Sequence, residues 1–161
     1  MMQLTSSDID AGATIPSRHV YNGSGCTGPN ISPALRWSGA PVGTKSFAVT
    51  VYDPDAPTGS GWWHWIVYDI PATVQELSTG AGNTGGMLPD GAKQGMTDYS
   101  VKAWGSPCPP AGDAPHRYVF TVFALSVEHL GVPANATSAA IGFNLNDNKL
   151  ATAQFTALFG R

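Results

Sequence analysis

Charge is scarce in this sequence. Asp, Glu, Lys and Arg together make up 12% of the 161 residues, about half the usual share of a globular domain. The formal net charge of −3 leaves no electrostatic footprint for nucleic acid, and no basic cluster exists to dock on anionic lipid. No run approaches the roughly eighteen apolar residues that a membrane span requires. The N-terminal MMQLTSSDID lacks the basic and apolar regions of a signal peptide. The expectation is a soluble chain without a targeting signal, periplasmic if a leader has been removed and otherwise cytoplasmic. Cysteine is limited to Cys26 and Cys108, compatible with one disulfide without requiring it.

Glycine (19) and proline (13) are plentiful without periodicity, which points to many loops between strands. Hydrophobic residues make up 42%, enough for a core, and the length predicts a single domain over residues 1–161. The most informative stretch is DPDAPTGSGWWHWIVYDIP, residues 53–71. Residues 49–52 lead in and residues 62–68 lead out as β-branched and aromatic strands. The loop between them is too long and too proline-rich for a tight hairpin. Pro54 and Pro57 fix their own φ and push Asp53 and Ala56 toward extended geometry, so the loop is stiff. Stiff loops on a strand scaffold commonly carry function. Asp-Pro pairs are also ordinary turn material, and tryptophan on a strand is ordinarily core.

Further strands are predicted over residues 3–9, 19–21, 35–37, 45–52, 98–104, 118–127 and 150–159. In 62–70, a period of two places Trp62, His64, Ile66 and Tyr68 on one face and Trp63, Trp65 and Val67 on the other. Residues 71–97 read as a surface excursion with one helical turn near 74–77. Residues 136–145 are the best helix candidate, with Ala139, Ala140, Phe143 and Leu145 on its buried side. The sum is a mainly β protein, a sandwich of two sheets with one or two short peripheral helices.

A second proline-rich loop, GSPCPPAGDAPHR (105–117), resembles the first in design and feeds the strand at 118. Two such loops, each delivering a histidine near a strand start, suggest one pocket holding Asp53, Asp55, His64, His116 and Arg117, walled by Trp and Pro. Arg117 is the natural partner of an Asp in the first loop, because its fork matches a carboxylate. His19 and His129 read as structural. The alternative is a small esterase-like hydrolase or a metal site built on Asp53, His64 and His116. Against hydrolysis, there is no Gly-x-Ser-x-Gly elbow, and neither Ser60 nor Cys26 has an assured base.

DPDAPTGSGWWHWIVYDIP together with PHRYVFTVFAL (115–125) strongly resembles the phosphatidylethanolamine-binding proteins, also called Raf kinase inhibitor proteins. NGSGCTGPNISPALRWSGAPVGTKSFAVTVYDPDAP (22–57) and GFNLNDNKLATAQFTALFGR (142–161) look like the bacterial branch of that family, so the likeness covers nearly the whole chain. The resemblance implies a β-sandwich with a small anion-binding cavity at one end. Carried over by residue, Asp53 and His64 contact a bound phosphate or similar anion and Ala56 and Pro57 form part of the rim. Pro109 and Pro110 form a wall, His116 and Tyr118 close the pocket, and Trp62 supports it. Asp55 and Arg117 look like an ion pair tying the loops together. The family pattern also implies a cis bond at Ala56–Pro57. Cys26 and Cys108, on two loops at one pocket mouth, are candidates for a disulfide. Where the family often has Gly two residues before the second histidine, this chain has Ala114. No cofactor is implied; a homodimer and inhibition of a kinase or protease are implied by the family alone. A carboxylate site takes an anion only if the cluster holds an extra proton, on His64, His116 or Asp53.

Overall fold

Runs of valine, isoleucine, phenylalanine and tryptophan satisfy their backbone by pairing, and here they pair in chain-antiparallel fashion. The structure is a computed structural model that describes residues 1–161. Its strands are β1 (Gln3–Thr5), β2 (Leu35–Ser38), β3 (Ser46–Asp53), β4 (Trp62–Pro71), β5 (Glu76–Leu77), β6 (Lys93–Gln94), β7 (His116–Leu125) and β8 (Lys149–Phe159), with one α-helix, α1 (Ser138–Asn148). A five-stranded sheet runs in the order β6-β4-β3-β7-β8, and a three-stranded sheet in the order β1-β2-β5. Every strand pairing within these sheets is antiparallel.

The two sheets close over one core. Phe47, Val49, Val51, Phe120 and Val122 from the large sheet meet Leu4, Leu35, Trp37 and Leu77 from the small one. The opposite face of the large sheet is covered by α1, where Ile141 and Leu145 pack on Ala48, Ile66, Phe123 and Leu125. Strand β3 is therefore buried on both faces, as its mainly apolar run requires, with Thr50 a buried polar residue within it. No helix is long and apolar enough to cross a membrane.

Strand β4 departs from strict alternation. Val51 pairs with Trp65 while Tyr52 pairs with Trp63, so His64 is an extra residue with no partner on β3. Such a β-bulge puts two successive side chains on one face. Trp62 and His64 consequently share the inter-sheet face with Trp65 and Val67, whereas Trp63, Ile66 and Tyr68 turn toward α1. The sequence-based division of this strand is corrected at that point. A second irregularity falls at Asp69, whose φ of 56° and buried carboxylate, accepting the N–H of Leu130, re-aim the strand end.

Four other expectations are corrected. Strand β1 stops at Thr5, because the Ser6 hydroxyl turns the chain by taking the amides of Asp8 and Ile9. Residues Ser17–His19 form a 3₁₀ turn rather than a strand, and His19 is buried with Nδ1 against the carbonyl of Ile31. Residues 76–77 are strand, not helix, since they pair with Leu35 and Arg36 and bury Leu77. Residues 98–104 form turns; the amide of Thr97 closes on the Val101 carbonyl, and Ser100 has φ 63°.

The helix begins two residues later than predicted, where Thr137 caps it by accepting the amide of Ala140. Its buried positions are Ser138, Ile141, Gly142 and Leu145, the i, i+3, i+4, i+7 pattern of one stripe. Ala139, Ala140 and Phe143 lie outside that stripe, and Phe143 is 72% exposed. We expect Ile141→Ala to cost about 2–5 kcal/mol and Phe143→Ala to stay within about 0.5 kcal/mol of the parent. Urea unfolding followed by circular dichroism checks this, and equal costs at the two positions would contradict the packing described.

Candidate functional site

Asp53 is the last residue of β3, and its Oδ1 accepts the amide of Asp55 at 2.8 Å, which starts the first loop. The amide of Thr58 then bonds the Ala56 carbonyl (2.8 Å), and the Thr58 hydroxyl bonds the Gly61 carbonyl (2.6 Å). Gly61, at φ 69°, returns the chain to β4; a Cβ there would overlap the Tyr52 ring and the Asp53 backbone. These bonds turn the loop with a trans bond at Ala56–Pro57, so the expected cis bond is not there. The chain's cis peptide is Ser106–Pro107, in the second loop.

The second loop is tied to β4 by a reciprocal pair. The Gly105 amide donates to the His64 carbonyl (3.2 Å), and His64 Nδ1 donates to the Gly105 carbonyl (2.6 Å). Its far side is held by Arg161, whose Nε donates to the Pro109 carbonyl (2.6 Å). Cys108 is joined to Cys26, 82 residues away in sequence, so the 22–30 loop is tethered to the same wall.

Asp53, Ala56, Pro57, Trp62, His64, Pro109, Pro110, His116 and Tyr118 all line one cavity of about 170 Å³. Asp55 and Arg117 sit outside it as a bidentate pair, Nε to Oδ2 at 3.0 Å and Nη2 to Oδ1 at 2.8 Å, and Asp55 Oδ2 also takes the Arg117 amide. The Arg117 hydrogen bond holds the Asp55 carboxyl down at about 2, against the opposing effect of partial burial. Sequence reasoning missed Ser24, Thr58 and Tyr99 as lining residues. Tyr99 stacks on Tyr21 with ring centroids 4.2 Å apart and stands edge-on to Trp62 and His64. It lies in a turn-rich stretch without periodicity, so only its being an aromatic among polar neighbours marked it. A larger groove of about 590 Å³ over the small sheet holds only the Arg36–Glu76 ion pair as charged groups.

The two histidines are in opposite states. His116 Nδ1 lies 2.6 Å from Asp53 Oδ2, and its Nε2 lies 2.9 Å from Asp113 Oδ2. A carboxylate only accepts, so both ring nitrogens donate and the ring is an imidazolium. Burial works against that charge, but the bonds to Asp53 and Asp113 outweigh it and raise its pKa above the ordinary 6.5. His64 is pushed down to about 4 by burial, despite the Gly105 bond and the nearby Asp53 charge. Burial, then the Asp53 charge, keeps the Tyr118 phenol protonated far above its ordinary range. The indole Nε1 of Trp62 and the hydroxyl of Tyr118 are buried with no hydrogen-bond partner in the protein. Of the nucleophiles weighed for a hydrolase, Cys26 is oxidised and Ser60 does not line the cavity. With both nitrogens of His116 taken, the two-imidazole metal site loses a ligand.

The two rings predict opposite contributions to stability. His64 has a lowered pKa, so its contribution is complete above about 6.5 and is lost as pH falls through about 4. His116 has a raised pKa, so its contribution is complete below about 6.5 and is lost as pH rises through the higher folded value. Imidazole resonances followed by NMR should show His64 neutral down to near pH 4 and His116 still protonated at pH 6.5. A shared midpoint near 6.5 would refute the assignment.

With that geometry in hand, similarity to known proteins is specific. The family model described as phosphatidylethanolamine-binding protein matches residues 5–160. The UPF0098 protein YbcL of Escherichia coli (strain K12) is 54% identical over 158 residues, covering 98% of this chain and 86% of that protein. YbhB of the same organism is 49% identical, covering 98% of this chain and 99% of that one. The crystal structure of E. coli YbcL, described as a new member of the mammalian PEBP family, superposes with a TM-score of 0.96 at 53% identity, over 99% of this chain and 98% of that one. The chain therefore belongs to the phosphatidylethanolamine-binding protein family.

Proposed function

We propose that the chain binds a small oxyanion of the phosphate class, of the kind a phosphorylated headgroup carries, in the cavity between its two proline-rich loops. The observation that carries this reading is the pair of unpartnered donors, Trp62 Nε1 and Tyr118 OH, on two lining residues. Buried donors are normally paired, so two on one cavity call for an acceptor-rich ligand. The carboxylate of Asp53 does not defeat an anion, because the His116 imidazolium against it offsets its charge; the second carboxylate on that ring, Asp113, is outside the cavity lining and partly exposed to solvent. At about 170 Å³ the cavity is small beside the ~300–1,000 Å³ of drug-sized sites. It suits a headgroup fragment, not an intact lipid. The family's name, which refers to phosphatidylethanolamine, agrees with a phosphate-bearing ligand. Modulation of a kinase or protease would need a protein surface and is not part of this proposal.

Calorimetry with inorganic phosphate tests it. Binding should weaken as pH rises through the raised folded value of His116, above the ordinary 6.5, where the ring loses the proton that offsets Asp53. Trp62→Phe and Tyr118→Phe should each cost roughly ten- to a hundredfold in affinity, the worth of a hydrogen bond to a charged group. Phosphate affinity that is unmoved by both substitutions would place the ligand elsewhere.

A further inference from the structure

We propose that the Cys26–Cys108 bridge is a redox latch, and that the rim segment it holds, residues 22–27, sets the size of ligand the cavity admits. The size rule rests on the oxyanion reading above; the latch itself does not.

The segment leaves the body of the protein through a closed neck. The Gly28 amide bonds the Tyr21 carbonyl at 2.9 Å, and the Asn30 amide bonds the Val20 carbonyl at 2.8 Å. A Cβ at Gly28 would overlap the Val20 carbonyl, so a larger residue could not close the neck this tightly. Tyr21 is fixed from two sides, its amide on the Pro107 carbonyl at 3.1 Å and its ring stacked on Tyr99. Beyond the neck such ties end. The backbone hydrogen bond among residues 22–27 is internal, from the Cys26 amide to the Gly23 carbonyl at 2.9 Å, and their side chains bond no other segment. The Cys108 sulfur lies 3.6 Å from the carbonyls of Gly23 and Ser24, but in a disulfide it has no hydrogen to donate. The bridge is therefore what fastens the segment to the second loop. It fastens it under strain: Ser24 has φ 54°, a left-handed conformation that a residue with a side chain keeps only where its surroundings impose it.

The other end of the bridge is built differently. Pro107 accepts the Tyr21 amide and Pro109 accepts Nε of Arg161, so when the bridge opens the wall stays and the segment moves. A dithiol supplies the chemistry. Cys108 is half-buried and Cys26 buried, so the reagent's thiolate attacks the Cys108 sulfur and Cys26 leaves as a thiolate with the segment. The second thiolate of the dithiol then displaces Cys108 and closes the reagent's own disulfide. Two electrons pass to the bridge, two protons end on the cysteine thiols, and one dithiol is oxidised. Ser24 and Cys108 both line the cavity of about 170 Å³. With the bridge closed, Ser24 bounds a space that fits a small anion. With it open that wall is lost, and a bulkier headgroup gains room where the small anion loses contacts.

Amide hydrogen exchange and calorimetry on the full chain, before and after treatment with dithiothreitol, test both parts. On reduction the amides of residues 22–27 should exchange at least about tenfold faster, while those of Trp104 and Gly105 stay within about threefold of their oxidised rates. The affinity for inorganic phosphate relative to glycerophosphoethanolamine should fall at least about tenfold. Cys26→Ser, which leaves Cys108 in the wall, should reproduce both changes without reductant, and reoxidation of the unaltered protein should reverse them. If that variant does not fold, the reduction and reoxidation series decides alone. Unchanged exchange over residues 22–27 overturns the latch. Faster exchange with an unchanged affinity ratio overturns the size rule and leaves the oxyanion reading standing. Binding of neither ligand in either state overturns the oxyanion reading and the size rule with it, while the exchange rates still uphold or remove the latch.

Discussion

The bond between Asp53 and His116 is the constraint on which the rest of the site depends. Both side chains are almost wholly enclosed, 3% and 4% exposed, and they meet at 2.6 Å. An enclosed charge needs a partner, and removing either one would strand the other at about 3–5 kcal/mol. The pair joins the end of β3 to the start of β7, although the two residues are 63 apart in sequence. It also determines what the neighbouring groups can do. With the imidazolium committed to carboxylates, the open roles in the cavity pass to Trp62, Tyr118 and His64.

A second layer of bonds fastens each loop to a strand end of the large sheet. The Asp55–Arg117 fork spans them on the outside, and the His64–Gly105 reciprocal pair spans them within. The Cys26–Cys108 bridge brings in a third loop. Cross-links between distant segments act chiefly by restricting the unfolded chain, so they can fasten a rim without filling a core. Polar fixtures of this kind let a loop-built cavity coexist with a low overall content of charge, because Asp53, Asp55, Asp113 and Arg117 all meet partners where the loops approach each other.

Much of this was legible in the sequence. Prolines at 54, 57, 109, 110 and 115 marked two stiff loops, and the strands that follow them placed His64 and His116 near the same end. The runs of β3 and β7 read directly as strands, β3 because it is largely apolar and buried on both faces, and β7 because its β-branched and aromatic residues alternate between buried and more exposed positions over its first half. The misreadings share a cause, which is tertiary context overriding local pattern. Residues 76–77 look locally like a turn and become strand only because β2 lies beside them. Phe143 looks like core by composition, yet the helix stripe passes through Ile141 and Leu145 instead. The Ala56–Pro57 bond is trans, and the cis peptide lies at Ser106–Pro107 in the second loop, a placement that no spacing rule reports. Tyr99 reaches the cavity through a stack on Tyr21, a contact between segments with no shared pattern.

The extra residue at His64 has a reach beyond its own position. It divides β4 into two reading phases: ahead of it even-numbered residues look into the sandwich, and just after it odd-numbered ones do. A tolerance map along this strand would therefore change parity partway, with polar replacements accepted on opposite sets of positions before and after the irregularity. Loss of that single residue by deletion would restore regular pairing with β3 and present an aliphatic or indole side chain where an imidazole now stands. The sheet would survive such a change far better than the chemistry at its end.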